Sequence, residues 1–138
     1  MAIEWSRLAL SYLLTTLVFF MIDLTWLGLI ARAFYARHLG SLLAEQVNWV
    51  AAIVFYLLFI VGIFIFAILP AVERASLGRA LLYGGLFGFF TYATYDLTNL
   101  ATLKGWPMTV VVVDIAWGVV LTATVAGAGY AITRWLTA

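Results

Sequence analysis

The chain has 138 residues, 67% of them apolar and 9% charged, with a net charge of +1 and no cysteine. An average soluble domain carries about 25% charged residues, and a core of this size could not bury so many apolar side chains, so most are expected to face lipid. The charge balance argues against nucleic acid as a partner, and the missing cysteine excludes disulfides and thiolate metal sites.

A membrane span needs roughly 20 mostly apolar residues, and four stretches qualify. The first is Leu8–Ile30. Glu4 precedes Arg7, the run is too long for a signal-peptide core, and no small-residue cleavage site follows, so it reads as a membrane helix. The loop from Ala31 to Asn48 is the one long connection. Phe34, Tyr35, Leu39, Leu42, Leu43 and Val47 recur there at near-helical spacing, opposite Arg37, Ser41 and Glu45. That pattern predicts a short amphipathic helix lying on the membrane surface, with an ordinary connector as the alternative. Trp49–Leu69 is the purest span, expected to stop at Pro70, which cannot continue the hydrogen-bond ladder. Its Phe55–Phe66 stretch reads as lipid-facing surface, or as one wall of a groove for a hydrophobic ligand. Leu81–Leu103 and Met108–Ile132 are joined by Gly105-Trp106-Pro107, a tight turn that makes them an antiparallel hairpin, with Pro107 suited to a first helical turn. Trp5, Trp49, Trp106 and Trp135 fall at span ends, as an aromatic belt would. Arg7, Arg74, Arg79 and Arg134 collect on one side against Arg32, Arg37 and Lys104 on the other, a slight preference for cytoplasmic termini. The expectation is an all-α, single-domain (1–138) integral membrane four-helix bundle, with a short interfacial helix between spans one and two.

Three spans carry a carboxylate: Asp23, Asp96 and Asp114. A charged Asp at the middle of a membrane helix costs about 2.5–3.5 kcal/mol on insertion scales, so each should pair, keep its proton or meet something polar. At a rise of about 1.5 Å per residue, all three reach a similar depth, in the half nearer the first and third loops. Trp26 follows Asp23 by three and Trp117 follows Asp114 by three, so each pair shares a helix face, and an indole N–H is a donor only. On span three, Tyr92, Asp96 and Asn99 form one stripe, and Tyr95, Asn99 and Thr102 an adjoining one. Tyr56 and Asn48 reach the same level from span two. No basic residue lies inside any span, and close carboxylates in a low dielectric cannot all be ionised. The set Asp23, Trp26, Tyr92, Tyr95, Asp96, Asn99, Asp114 and Trp117 therefore reads as a ligand or proton site. The plainer reading is polar glue between helices, worth about 0.6 kcal/mol per contact.

Other features are less specific. Three carboxylates and an amide could in principle hold a hard divalent cation, but no metal motif is present, and His38 lies in a loop without a second His at ligand spacing. No nucleophile motif occurs, and nothing calls for a cofactor. Asp-Leu-Thr recurs at 23–25 and 96–98, a weak echo of a two-helix repeat. Gly84-x-x-x-Gly88 and Ala123-x-x-x-Gly127 permit close helix contact, either between spans three and four or across a homodimer. Lipid is the one partner that composition itself requires.

The stretches MIDLTWLG, FYARHLG, NWVAAIVFYLLFIVG, FGFFTYATYDLTNLATLKGWP and VDIAWG together resemble the domain-of-unknown-function 2177 family of predicted bacterial membrane proteins. The resemblance covers nearly the whole chain, and its most specific part is Tyr92–Pro107. It implies a small multi-pass protein of the bacterial inner membrane and puts Asp23, Trp26, Asp96, Asn99, Trp106, Pro107, Asp114 and Trp117 in signature stretches. It carries over no reaction. Three functions stay open: binding or moving a small solute, proton or lipid-like ligand; carboxylate acid–base or metal chemistry on a lipid or isoprenoid; and service as an accessory subunit of a membrane complex.

Overall fold

A computed structural model describes residues 2–138, and all regular structure among them is helical. Helix α1 (Trp5–Thr25) runs without a break into a wide π-turn, Trp26–Ile30. A short α2 (Arg32–Leu39) follows. Helix α3 (Trp49–Ile63) continues through a second π-segment, Phe64–Ile68, into α4 (Leu69–Glu73). The chain ends in the long pair α5 (Leu77–Thr102) and α6 (Met108–Thr137).

Three continuous helices among the described residues are long and apolar enough to cross a membrane: Trp5–Ile30, Trp49–Glu73 and Met108–Thr137. The expected span Leu81–Leu103 is present as α5, at 26 residues, but is not one of the three. Its glycines, threonines and tyrosines, with Asp96 and Asn99, dilute its apolar content.

The second span does not stop at Pro70 as expected. The N–H of Leu69 bonds back five residues to the carbonyl of Phe64, so the helix re-registers before the proline. Pro70 then falls in the first turn of α4, where the missing N–H costs nothing, and the helix continues to Glu73.

The helices are inverted relative to a soluble protein. The buried residues of α1 are Ser11, Thr15, Phe19 and Asp23, one every four positions, while Leu13, Leu17 and Met21 are exposed at 59–72%. In α5 the four-residue stripe Ala80, Gly84, Gly88 and Asp96 is buried, and in α6 the stripe Val110, Asp114, Gly118, Thr122 and Ala126. Along these stripes small and polar side chains mostly face inward, while the large apolar residues divide between the outer surface and the core. The apolar core, with Phe19, Ile60, Ile63, Phe64, Leu121 and Val125, sits at mid-height between α1, α3 and α6.

The small-residue stripes of α5 and α6 meet within the chain. A Cβ on Gly84 would collide with Ala126 at 2.5 Å, one on Gly88 with the carbonyl of Gly118, and one on Gly118 with the ring of Tyr92. Gly127 likewise faces Leu81. These residues pack closely against one another within the chain. The turn between the pair passes through Gly105 at φ +73°, a left-handed conformation that glycine adopts without strain. At the other end Arg7 donates to the carbonyl of Leu136 at 2.6 Å, and the hydroxyls of Ser11 and Thr133 meet, buried, at 2.5 Å. The first and last turns of the fold therefore lie side by side.

Three expectations about the periphery change. The loop helix covers Arg32–Leu39 alone and is not a purely surface-lying element, because Leu39 is buried and Tyr35 turns inward. Asn48 is exposed and caps α3, accepting from the N–H of Ala51 at 3.1 Å. The Phe-rich stretch is split: Phe55 and Phe66 are more than half exposed, whereas Phe59 and Phe64 belong to the core. Trp5, Trp49 and Trp135 are exposed at helix ends as a belt requires. Trp106 is not one of them, since its indole nitrogen is buried.

Candidate functional site

The register of the α5–α6 hairpin builds the site. Close contacts pair Gly84 with Ala126 and Tyr92 with Gly118, and the next step along the two stripes pairs Asp96 with Asp114. Both carboxyls lie nine residues from Gly105, on either side of it. Asp114 does lie beside Asp96, as does the indole of Trp106.

Asp23 enters from α1. It is 3% exposed and both its oxygens are occupied: Trp117 Nε1 donates to Oδ1 at 3.2 Å and Tyr56 Oη to Oδ2 at 3.0 Å. The Trp117 indole stacks on Trp26, with centroids 4.3 Å apart and planes 9° from parallel. The Trp26 N–H reaches Tyr35 Oη at 3.2 Å, and Tyr35 donates in turn to Asp114 Oδ1. Burial, and then the bond to Asp114, hold the Tyr35 phenol above its ordinary range, so it stays a donor at neutral pH. The carboxylates are therefore served by crossed donors. Each tryptophan shares a helix with one Asp and serves, directly or through Tyr35, the Asp of the other helix.

The π-turn assists this crossing. Bonding five residues back, with Ala31 N–H to Trp26 O at 2.7 Å, inserts an extra residue in the turn and rotates the downstream chain by about 100°. That rotation accompanies the flat seating of Trp26 on Trp117 and the folding of α2 back over the site.

Asp96 differs from the other two. It is fully buried, and neither of its oxygens has a hydrogen bond of acceptable geometry; the Trp106 Nε1 is likewise buried and unpartnered. Tyr92 and Asn99, on the same stripe of α5, make no hydrogen bond to Asp96. Thr91, Thr94, Thr98 and Thr102 bond back to carbonyls of their own helix and are spent. An unpaired buried carboxylate is far costlier than a hydrogen-bonded one, so the Asp96–Asp114 contact is where a proton or a cation would be most strongly held.

Above these residues lies a cavity of about 770 Å³. Asp23, Asp114 and Trp117 supply polar groups to its lining. Phe55, Tyr56 and Phe59 of α3 form one wall, and Thr91, Tyr92 and Tyr95 of α5 the other. Arg32, Tyr35 and Leu39 of α2 complete the lining with Leu43 and Trp106. The volume is within the usual range of small-molecule pockets, ~300–1,000 Å³, and the lining is mostly apolar.

Of the eight residues predicted for the site, Asp23, Tyr92, Tyr95, Asp114 and Trp117 line this cavity. Asp96 lies behind Asp114, and Trp26 supports the wall from the rear. Asn99 is half-buried and makes no side-chain bond to the Asp residues. Sequence reasoning missed Tyr35 as a functional group, because its periodicity assigned it to a surface helix. It also missed that Trp106 turns inward. The equal spacing of Asp96 and Asp114 from Gly105 was available as a signal for their pairing. No signal marked Tyr35. Among the described residues no group of three or more His, Cys, Asp or Glu is arranged to hold a metal ion.

No curated protein and no solved structure matches the chain. A family model described as a predicted membrane protein does match, over residues 8–131. That match takes in α1 through most of α6, and with it every residue of the site. The chain belongs to the domain-of-unknown-function 2177 family of predicted membrane proteins.

Proposed function

We propose that this is a multi-pass membrane protein, non-enzymatic, that binds a lipid-like ligand with its polar end at Asp23 and Asp114. The observation that carries the reading is the cavity itself: apolar and aromatic walls of about 770 Å³ ending on two buried carboxylates. A water-soluble solute would meet too few polar groups in such a chamber, whereas an amphiphile matches both the walls and the end. In this reading α5 crosses the bilayer as well, shielded on its small-residue face by α6, which gives four crossings. Asp96 shares a proton with Asp114 and adjusts the charge offered to the ligand.

The reading is tested on the chain purified from its own membranes in mild detergent. Native mass spectrometry is expected to detect a retained lipid-like molecule. Tyr92→Trp, which fills the chamber from α5, and Asp114→Asn should each lower its occupancy by about tenfold, the equivalent of some 1.4 kcal/mol. Asp96→Asn should fold and still bind less, through Asp114. Unchanged occupancy in all three would defeat the reading.

A further inference from the structure

We infer that the ligand's polar end is a protonated amine on a single apolar chain, and that it enters from the bilayer between α3 and α5. This inference deepens the lipid-like reading above and rests on it.

The entry route follows from how α3 meets α5. Low on the pair they are in close contact: a Cβ on Gly62 would strike the Phe87 ring at 2.7 Å, and Phe59 stacks on Phe87 at 5.4 Å. Higher up, Phe55 and Tyr56 face Tyr92 and Tyr95 only across the cavity. Phe55 and Tyr95 are 53% and 56% exposed. The pair is thus closed at Gly62 and Phe87, and farther along it the half-exposed Phe55 and Tyr95 flank the cavity, the route by which an acyl chain would enter. A chain entering there passes between aromatic rings with its head directed at Asp114.

The head's chemistry follows from charge. Two carboxyls, Asp23 and Asp114, line the chamber with Asp96 behind Asp114, and the one cationic side chain among the lining residues is Arg32, exposed on α2. Asp23 is saturated by two donors. Asp114 takes one, on Oδ1, and presents its other oxygen at the cavity wall. Behind it Asp96 is fully buried beside Asp114 and Trp106 and has no salt-bridge partner among the described residues. An ammonium supplies a positive charge and three donors at once, and Tyr92 and Trp117, which also line the cavity, are rings of the kind that attract a cation. A hydroxyl could reach Asp114 but would leave the charge uncompensated. A carboxylate head would be repelled by Asp114, leaving it only the exposed Arg32 at the mouth.

Saturable changes in tryptophan fluorescence, read on the full chain in nanodiscs at neutral pH, compare tetradecylamine, tetradecanol and tetradecanoate. The amine is expected to bind at least about tenfold more tightly than the alcohol. Asp114→Asn should abolish that preference while leaving alcohol binding in place. Arg32→Ala, an exposed change that spares the fold, should tighten amine binding about two- to threefold by removing a like charge at the mouth. Equal binding of amine and alcohol overturns the ammonium assignment and leaves the lipid-like reading standing. Preference for tetradecanoate overturns it in favour of an anion held by Arg32. No saturable binding of any of the three overturns both.

Discussion

Tyr35 joins the parts of the site that the sequence separates. It accepts from Trp26 and donates to Asp114, so one phenol couples α1, α2 and α6. Trp117 does the same work between α6 and α1. Trp117 both stacks and donates, and Trp117→Phe keeps a smaller aromatic ring near Trp26 while removing the N–H that Asp23 accepts. A buried carboxylate losing one charge-assisted partner should cost about 1–3 kcal/mol. The expected result is a lower unfolding midpoint in detergent with the helical circular dichroism unchanged. An unaltered midpoint would mean that Asp23 is already satisfied by Tyr56 alone.

Glycines have opposite meanings in different helices. Gly88 lies where α5 touches the backbone of α6 at Gly118, while around Gly28, in the π-turn, nothing approaches within 4 Å. Gly88→Ala should therefore push the hairpin apart and destabilise by about 1–3 kcal/mol. Gly28→Ala should be neutral or stabilising by up to ~1 kcal/mol, through helix propensity and a less mobile unfolded chain. Parallel thermal unfolding of the two variants checks this, and a large loss in Gly28→Ala would show that the wide turn needs glycine for its geometry. Since Asp96 and Asp114 are brought together by the same hairpin register, Gly88→Ala should also weaken ligand retention, whereas Gly28→Ala should not.

Topology can be read on the whole molecule because the chain has no cysteine. The contacts of Arg7 with Leu136 and Ser11 with Thr133 bring both ends of the fold together. If α5 crosses beside α6, single cysteines at Ala2 and Ala138 should react with an impermeant maleimide from one side of the membrane, and a cysteine at the exposed Lys104 from the other. Ala2 and Lys104 labelling from the same side would refute the four-crossing arrangement.

The amino-acid order by itself determined the lipid-facing exterior, the helical segments and the hairpin. It did so because bilayer thickness and backbone hydrogen bonding leave a chain this apolar few alternatives. It also marked the three Asp residues as the polar centre, since each is costly in hydrocarbon. Only the tertiary structure decided which donor serves which carboxylate, that Tyr35 and Trp106 turn inward, and that the helix passes through Pro70. Those outcomes depend on a register shift of one residue in a π-turn and on how side chains from different helices meet. Helical periodicity cannot encode either, because it describes each helix alone.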